Sequence, residues 1–179
     1  MRKKLFTFLC LLMILTVVGC SSSSTSTENS KTDKYFKVIG IYYNENNVLK
    51  SPDDGVSRNW INVVYEINNT SNKNWNDDFF FGDGVNVLTV GSNEYEYNYD
   101  NTSYYAKEYG FKTPDDDREI WAGAKMRYFV NFVVNQKDIK KGMEGKFYIK
   151  YNDMEYTYNY TYGDLKKYTS EDMSKLGNQ

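Results

Sequence analysis

The chain contains no histidine. That removes Ser-His-Asp and Cys-His catalysis, in which an imidazole carries the proton, and histidine-ligated zinc with it. Cysteine occurs only at Cys10 and Cys20. Cys10 falls inside an apolar leader, so a processed chain starting at Cys20 holds one thiol and no internal disulfide. Its fold is then expected to stand on packing alone. Proline occurs twice and alanine three times. The residues used in their place are Asn, Lys, Tyr and Ile, whose codons are A/T-rich; this points to a low-GC genome and a Gram-positive bacterium. Excess positive charge is missing too. The chain has 22 Lys and Arg against 24 Asp and Glu, and loss of Arg2, Lys3 and Lys4 with the leader leaves 19 against 24, a net charge of −5. That balance argues against a nucleic-acid partner and against polybasic attraction to anionic lipid.

What is present begins with the leader. Arg2, Lys3 and Lys4 precede an apolar segment from Leu5 to Val18, then the small Gly19, Cys20 and a run of serines. This is the layout of a secretory signal. Its apolar part is about 14 residues, short of the roughly 20 that cross a bilayer as a helix. Val17-Val18-Gly19-Cys20 resembles the bacterial lipobox. That resemblance implies removal of residues 1–19, a diacylglycerol on the Cys20 thiol, and a membrane anchor facing the extracellular side. The competing reading is an ordinary signal peptide with a chance cysteine. Two acyl chains anchor stably where one binds marginally.

Residues 20–33 read as a lipidated cysteine and a disordered Ser/Thr-rich tether, because nothing in them can be buried. From Lys34 the hydrophobic period becomes two. Residues 35–43 are apolar on both faces. Residues 59–68 alternate Ile61, Val63, Tyr65 and Ile67 against Asn62, Val64 and Glu66, the pattern of a half-buried antiparallel strand. A further strand is expected over 75–81. Residues 85–90 and 94–99 flank Gly91-Ser92-Asn93 as a hairpin, and residues 100–118 read as a long polar connection. Residues 125–134 put Met126, Tyr128, Val130, Phe132 and Val134 on one face. Residues 146–151 and 155–162 flank Asn152-Asp153-Met154 as a second hairpin. Residues 34–168 are therefore expected to be the domain. Residues 169–179 read as a polar tail or a short helix begun by Ser170-Glu171-Asp172 and carrying Met173 and Leu176.

Seven or eight short strands without a long helical pattern predict an all-β antiparallel sandwich, with a closed barrel as the alternative. The two long alternating faces are expected to belong to opposite sheets and to cover each other. INVVYEINNTSNKNW, IWAGAKMRYFVNFVV and GKFYIKYNDMEYTYNY resemble the strand-and-turn signatures of small Gram-positive lipoprotein domains with a telokin-like, immunoglobulin-like sandwich. The family's usual proline before the turn glycine is Ala122 here. The resemblance implies an extracytoplasmic module of unknown function with no shared catalytic residues.

Three residue groups are candidates for chemistry. The acidic loops Asp53-Asp54-Gly55, Asp77-Asp78 with Asp83, and Asp115-Asp116-Asp117 offer oxygen ligands of the kind calcium takes. None has EF-hand spacing, and Asp is also an ordinary turn former. Tyr95, Tyr97 and Tyr99 share one alternation, and Tyr156, Tyr158, Tyr160 and Tyr162 another. Such rows stack on sugar rings when exposed and fill a core when buried. The carboxylate pairs Glu94/Glu96 and Glu108/Asp115 fit glycosidic chemistry only if a cleft separates them suitably; otherwise they are edge charges. Asn69, Asn101 and Asn159 stand in Asn-x-Ser/Thr sequences of the kind chance supplies in an Asn-rich chain. No cofactor, metal or catalytic residue is expected. The expected function is a membrane-anchored, non-enzymatic module that binds a protein or organises the envelope. The alternative is a carbohydrate-binding module for cell-wall or host glycan, with the last tyrosine row as its platform.

Overall fold

The computed structural model describes residues 34–76, 86–113, 119–151 and 154–178. The leader, Cys20, the tether, Asp77, Asp78, Asp83 and residues 115–117 lie outside the described residues. So does most of the strand expected over 75–81.

The described chain is mostly β, in two main sheets. The first contains β1 (Phe36–Tyr43), β2 (Leu49–Lys50), β3 (Ser57–Asn68), β8 (Lys125–Asn135) and β11 (Leu165–Lys166). The second contains β5 (Asn86–Val90), β6 (Asn93–Glu96), β9 (Glu144–Tyr151) and β10 (Met154–Thr161), in the order β10-β9-β5-β6. A small ribbon pairs β4 (Trp75–Asn76) with β7 (Glu119–Ile120). Among the described strands only the β1–β11 pairing is parallel, beside an isolated parallel bridge between Lys112 and Tyr128. Both expected hairpins are present as β5–β6 and β9–β10.

The two long alternating faces are assigned correctly as buried, but they lie in one sheet rather than two. Ile61 stands opposite Phe132, Val63 opposite Val130, Tyr65 opposite Tyr128 and Ile67 opposite Met126. Alternation tells which face a residue takes. It says nothing about which strand lies alongside, and residues opposite one another in an antiparallel ladder share a face. The cover comes from the second sheet, through Leu88, Val90, Phe147, Ile149, Tyr156 and Tyr160. Across this interface the Tyr65 and Phe132 rings lie 5.5 and 6.2 Å from Phe147, and Phe36 stacks on Tyr156 at 5.9 Å.

β1 is apolar on both faces for a local reason. Its register against β3 shifts between Val38 and Gly40, leaving Ile39 as an extra residue. A bulge of one residue exchanges the faces. Phe36 and Val38 therefore face the inter-sheet core before it, and Ile41 and Tyr43 after it. Ile39 and Tyr42 join a second apolar cluster on the outer face.

That outer face is covered by two helices, and one of them corrects the expected polar connection. α1 (Tyr99–Tyr109) begins at Asn98, whose side chain accepts from Asn101 N, and ends at Gly110. Its buried side is built from Thr102, Ala106 and Tyr109, with no leucine, valine or isoleucine to mark a helix in the sequence. α2 (Ser170–Gly177) is capped one residue earlier than expected. Thr169 is the N-cap, and Asp172 accepts from its backbone N at 2.9 Å, a reciprocal capping box. Met173 of α2 is fully buried with Val64, Phe129, Ala106, Tyr109 and Phe111. A side chain at Gly177 would put its Cβ 2.1 Å from the Tyr109 carbonyl oxygen, so only glycine lets α2 approach α1 this closely. Arg127 donates to the Leu176 carbonyl at 2.8 Å, a cation at the helix C-terminus where the dipole favours it.

Burial on both sides of the first sheet makes its two faces comparable. Phe132→Ala is expected to cost about 3–5 kcal/mol. Val64→Ala, on the helix-covered face, is expected to cost about 2 kcal/mol from the lost methyl groups and the cavity. Urea unfolding of the chain from residue 34 to 179 measures both. A Val64→Ala variant as stable as the wild type would mean that the helices do not pack as described.

Candidate functional site

The tyrosine row on β10 turns inward. Tyr156 and Tyr160 are only 8% and 2% exposed. Tyr160 donates to the Thr89 carbonyl at 2.8 Å, and burial pushes its hydroxyl pKa well above the usual phenol range. Tyr158 is half-buried and lines an open groove with Thr161 and Asp164. Tyr162 leaves the row altogether, in a single 3₁₀ turn after β10. The four do not form an exposed platform. The other row is broken up as well. Tyr95 lies on β6 and donates to Asp138 at 2.5 Å, Tyr97 makes a bridge to Phe132, and Tyr99 is the exposed first residue of α1.

The acidic groups disperse similarly. Asp54 is held by the Arg58 guanidinium and by Val56 N at 2.9 Å, and the Arg58 hydrogen bond keeps its carboxyl well below the usual range. Glu94 and Glu96 are exposed along β6. Among the described residues no group of three or more Asp, Glu, Cys or His is gathered as for a metal ion. Asn69, one of the Asn-x-Ser/Thr positions, is buried, and its amide donates to the Lys73 and Ile120 carbonyls.

A site appears instead where sequence reading placed a loop. Between α1, β3 and the turn after β1 lies a cleft of about 360 Å³. The indole of Trp60 forms one wall, with Tyr105 at 5.2 Å between ring centroids. Tyr104 packs edge-on against Tyr105 at 5.0 Å and is 65% exposed at the mouth. Tyr109 stacks on Tyr105 at 5.7 Å. Asn44 and Asn47 form the opposite lip, in a turn closed by Asn47 N on the Asn44 carbonyl at 3.1 Å. Among the described residues Glu108 is the one carboxylate in the lining, and no Lys or Arg lines it.

Asn62 and Tyr168, which line the cleft, belong to a buried amide network beneath it. Asn62 and Asn131 stand opposite each other on β3 and β8. Asn131 Nδ2 donates to Asn62 Oδ1 at 2.6 Å, and Asn62 Nδ2 donates to the Tyr168 hydroxyl at 2.8 Å. Asn101 of α1 donates to Asn131 Oδ1 at 3.1 Å, and Asn131 N donates to Thr102 Oγ1 at 2.9 Å. Fixed donors and acceptors of this kind orient the side chains above them. Burial raises the pKa of Tyr105 and Tyr109, and it pushes Tyr168 up to about 12. The phenols therefore stay neutral. Neutral aromatic faces beside amides and one carboxylate suit a neutral, hydroxyl-rich ligand. A second carboxylate for acid–base work is not among the lining residues.

Sequence reading missed the cleft because its residues come from four separate segments. The readable signals were the Asn98 and Gly110 caps and the helical spacing of Thr102, Ala106 and Tyr109. Among the described residues no helix is long and apolar enough to cross a membrane.

The Tyr168 shift has a pH consequence. Its folded pKa of about 12 lies above the ordinary phenol value of 10.0, so its contribution to stability is complete below about pH 10 and is lost as pH rises toward 12. Urea unfolding is expected to show a fall in stability across that window. In Tyr168→Phe the slope is expected to be shallower, from a lower starting stability because Asn62 loses its acceptor. An unchanged slope would mean that the hydroxyl is not held neutral.

In comparisons with protein-family models, curated proteins and solved structures, nothing matches this chain.

Proposed function

We propose that this protein is a membrane-anchored extracytoplasmic lipoprotein, lipidated on Cys20, whose immunoglobulin-like, telokin-like sandwich is a non-enzymatic binding module. The observation that carries the reading is the cleft beside Trp60. It combines exposed aromatic surface with a hydrogen-bonded floor and a single carboxylate, an arrangement made for holding a ligand. The chain topology supports the same picture. The described chain starts at Lys34, beside the end of β3, since Asn68 N donates to the Tyr35 carbonyl. Trp60 and the 44–47 turn lie toward the other end of β1 and β3. A module tethered through residues 20–33 would present the cleft away from its membrane.

Within this reading a glycan partner is favoured over a protein that organises the envelope. The half-exposed Trp60 and the exposed Tyr104 offer the aromatic surface that Tyr156 and Tyr160 keep buried, and the lining carries amides rather than a large apolar patch. Sugars are bound by ring faces beneath axial C–H groups, with hydroxyls on amide and carboxylate partners.

Two measurements test the reading separately. Cys20→Ser is expected to abolish labelling by a clickable palmitate analogue and to release the protein from membranes; equal labelling of mutant and wild type would sink the anchor. The soluble Cys20→Ser chain is expected to sediment with cell-wall glycan. Trp60→Ala should weaken that binding by about 2 kcal/mol, near thirtyfold, as for a central aromatic anchor. Unchanged binding in Trp60→Ala, with the fold intact by circular dichroism, would place the ligand elsewhere.

A further inference from the structure

The most exposed large hydrophobic side chain among the described residues is Trp121, at 67%. It does not sit on a slack loop. Ala124 N donates to the Trp121 carbonyl at 2.9 Å, closing a tight turn, and Gly123 takes the left-handed φ of 74° that such a turn requires at its third position. Asn69 clasps the turn from beneath. Its backbone carbonyl accepts from Gly123 N at 2.8 Å, its N donates to the Ala124 carbonyl at 2.9 Å, and its buried amide donates to the Ile120 carbonyl at 2.9 Å. Asn74 Oδ1 accepts from Ala122 N at 2.9 Å. A bulky apolar ring is thus held out into solvent on a turn tied down by four further hydrogen bonds.

The turn lies at the end of the domain where the tether enters. Asn68 N donates to the Tyr35 carbonyl at 2.8 Å, and the next residue, Asn69, is the clasp. We propose that the Trp121 turn is a membrane-contact point that inserts its indole into the lipid interface of the leaflet holding the Cys20 anchor. The proposal rests on the lipoprotein reading. Only 13 residues, Ser21 to Asp33, separate Cys20 from Lys34, and a Ser-rich coil of that length has an end-to-end distance of about 20 Å, so an anchor on Cys20 would keep this end of the domain near the bilayer. Tryptophan, with an apolar body and one N–H, concentrates at membrane–water interfaces. Lys34, Lys73 and Lys125 are exposed at the same end, but so is Glu119, and Lys125 is paired with Glu66 at 2.9 Å. The surface is not polybasic, so the indole rather than charge makes the contact. It also fixes orientation: with Trp121 down, the Trp60 cleft points outward.

The test uses the chain from Cys20 to Gln179, in which Cys20 is the single thiol. It is coupled to a maleimide phospholipid in phosphatidylcholine vesicles whose acyl chains are brominated. Tryptophan emission of the coupled protein is expected to be quenched relative to unbrominated vesicles. In Trp121→Ala that quenching is expected to be lost, and adding anionic phosphatidylglycerol should leave the wild-type result unchanged. No quenching in the coupled wild type, quenching that persists in Trp121→Ala, or quenching that appears only with anionic lipid would each overturn the proposal. Because coupling supplies the anchor chemically, this result is independent of acylation in cells. Failure of palmitate labelling would remove the lipoprotein reading, whereas failure of quenching would remove the Trp121 contact alone.

Discussion

The pairing of β3 with β8 governs the rest of the molecule. It runs unbroken from Arg58 opposite Asn135 to Asn68 opposite Lys125, and both faces of the pair are buried. One face meets the second sheet through the rings of Tyr65, Phe132 and Phe147. The other carries Val64 and Phe129 beneath the helices. Two faces of one sheet each needing cover explain why a chain with so little alanine and leucine still spends two segments on helix. They also explain the treatment of the far edge of β8. Asn98 N donates to the Asn131 carbonyl, and Lys112 exchanges backbone bonds with Arg127 and Phe129. α1 is slung between these two ties, so an edge that would otherwise offer free pairing groups is closed by the helix's own flanks.

The same pairing sets the polar floor of the cleft. Burying two facing amides is costly unless every donor and acceptor finds a partner. Asn62 and Asn131 meet that condition through each other, Tyr168, Asn101 and the register of the ladder. Shifting that register by one residue would set Asn62 opposite Phe132 or Val130, so that one amide enters the apolar core and the other loses its partner. The network therefore selects one alignment of the two strands. Glu66 works similarly near the other end, paired with Lys125 at 2.9 Å and Arg127 at 3.6 Å.

Much of the sheet architecture was legible in the sequence. The alternation of 61–67 and 126–134 identified the buried faces, and Gly91 marked a hairpin. The choice of neighbours was not legible, because Tyr65 and Tyr128 look the same to a period of two whether they lie side by side or face to face. α1 escaped because tyrosine, threonine and a lone alanine form its buried side, and such residues do not stand out as an apolar stripe. The cleft escaped with it. Trp60, Asn44, Tyr105 and Tyr168 acquire a common role only once α1 lies across the sheet. The inward turn of Tyr156 and Tyr160 was legible as one of two alternatives, and alternation alone could not choose between core and platform.

The point where the described chain begins and the cleft lie toward opposite ends of β1 and β3, which gives the domain a mechanical axis. A pull entering at Tyr35 and resisted at Trp60 runs along the strands, while the ladder hydrogen bonds lie across them. β1 is joined to β3 from Phe36 opposite Ile67 to Tyr43 opposite Ile61, and to β11 at Ile41 and Tyr42. Such a load shears these bonds together instead of unzipping them in turn. Resistance to force along this axis is then a matter of the unfolding rate rather than of equilibrium stability.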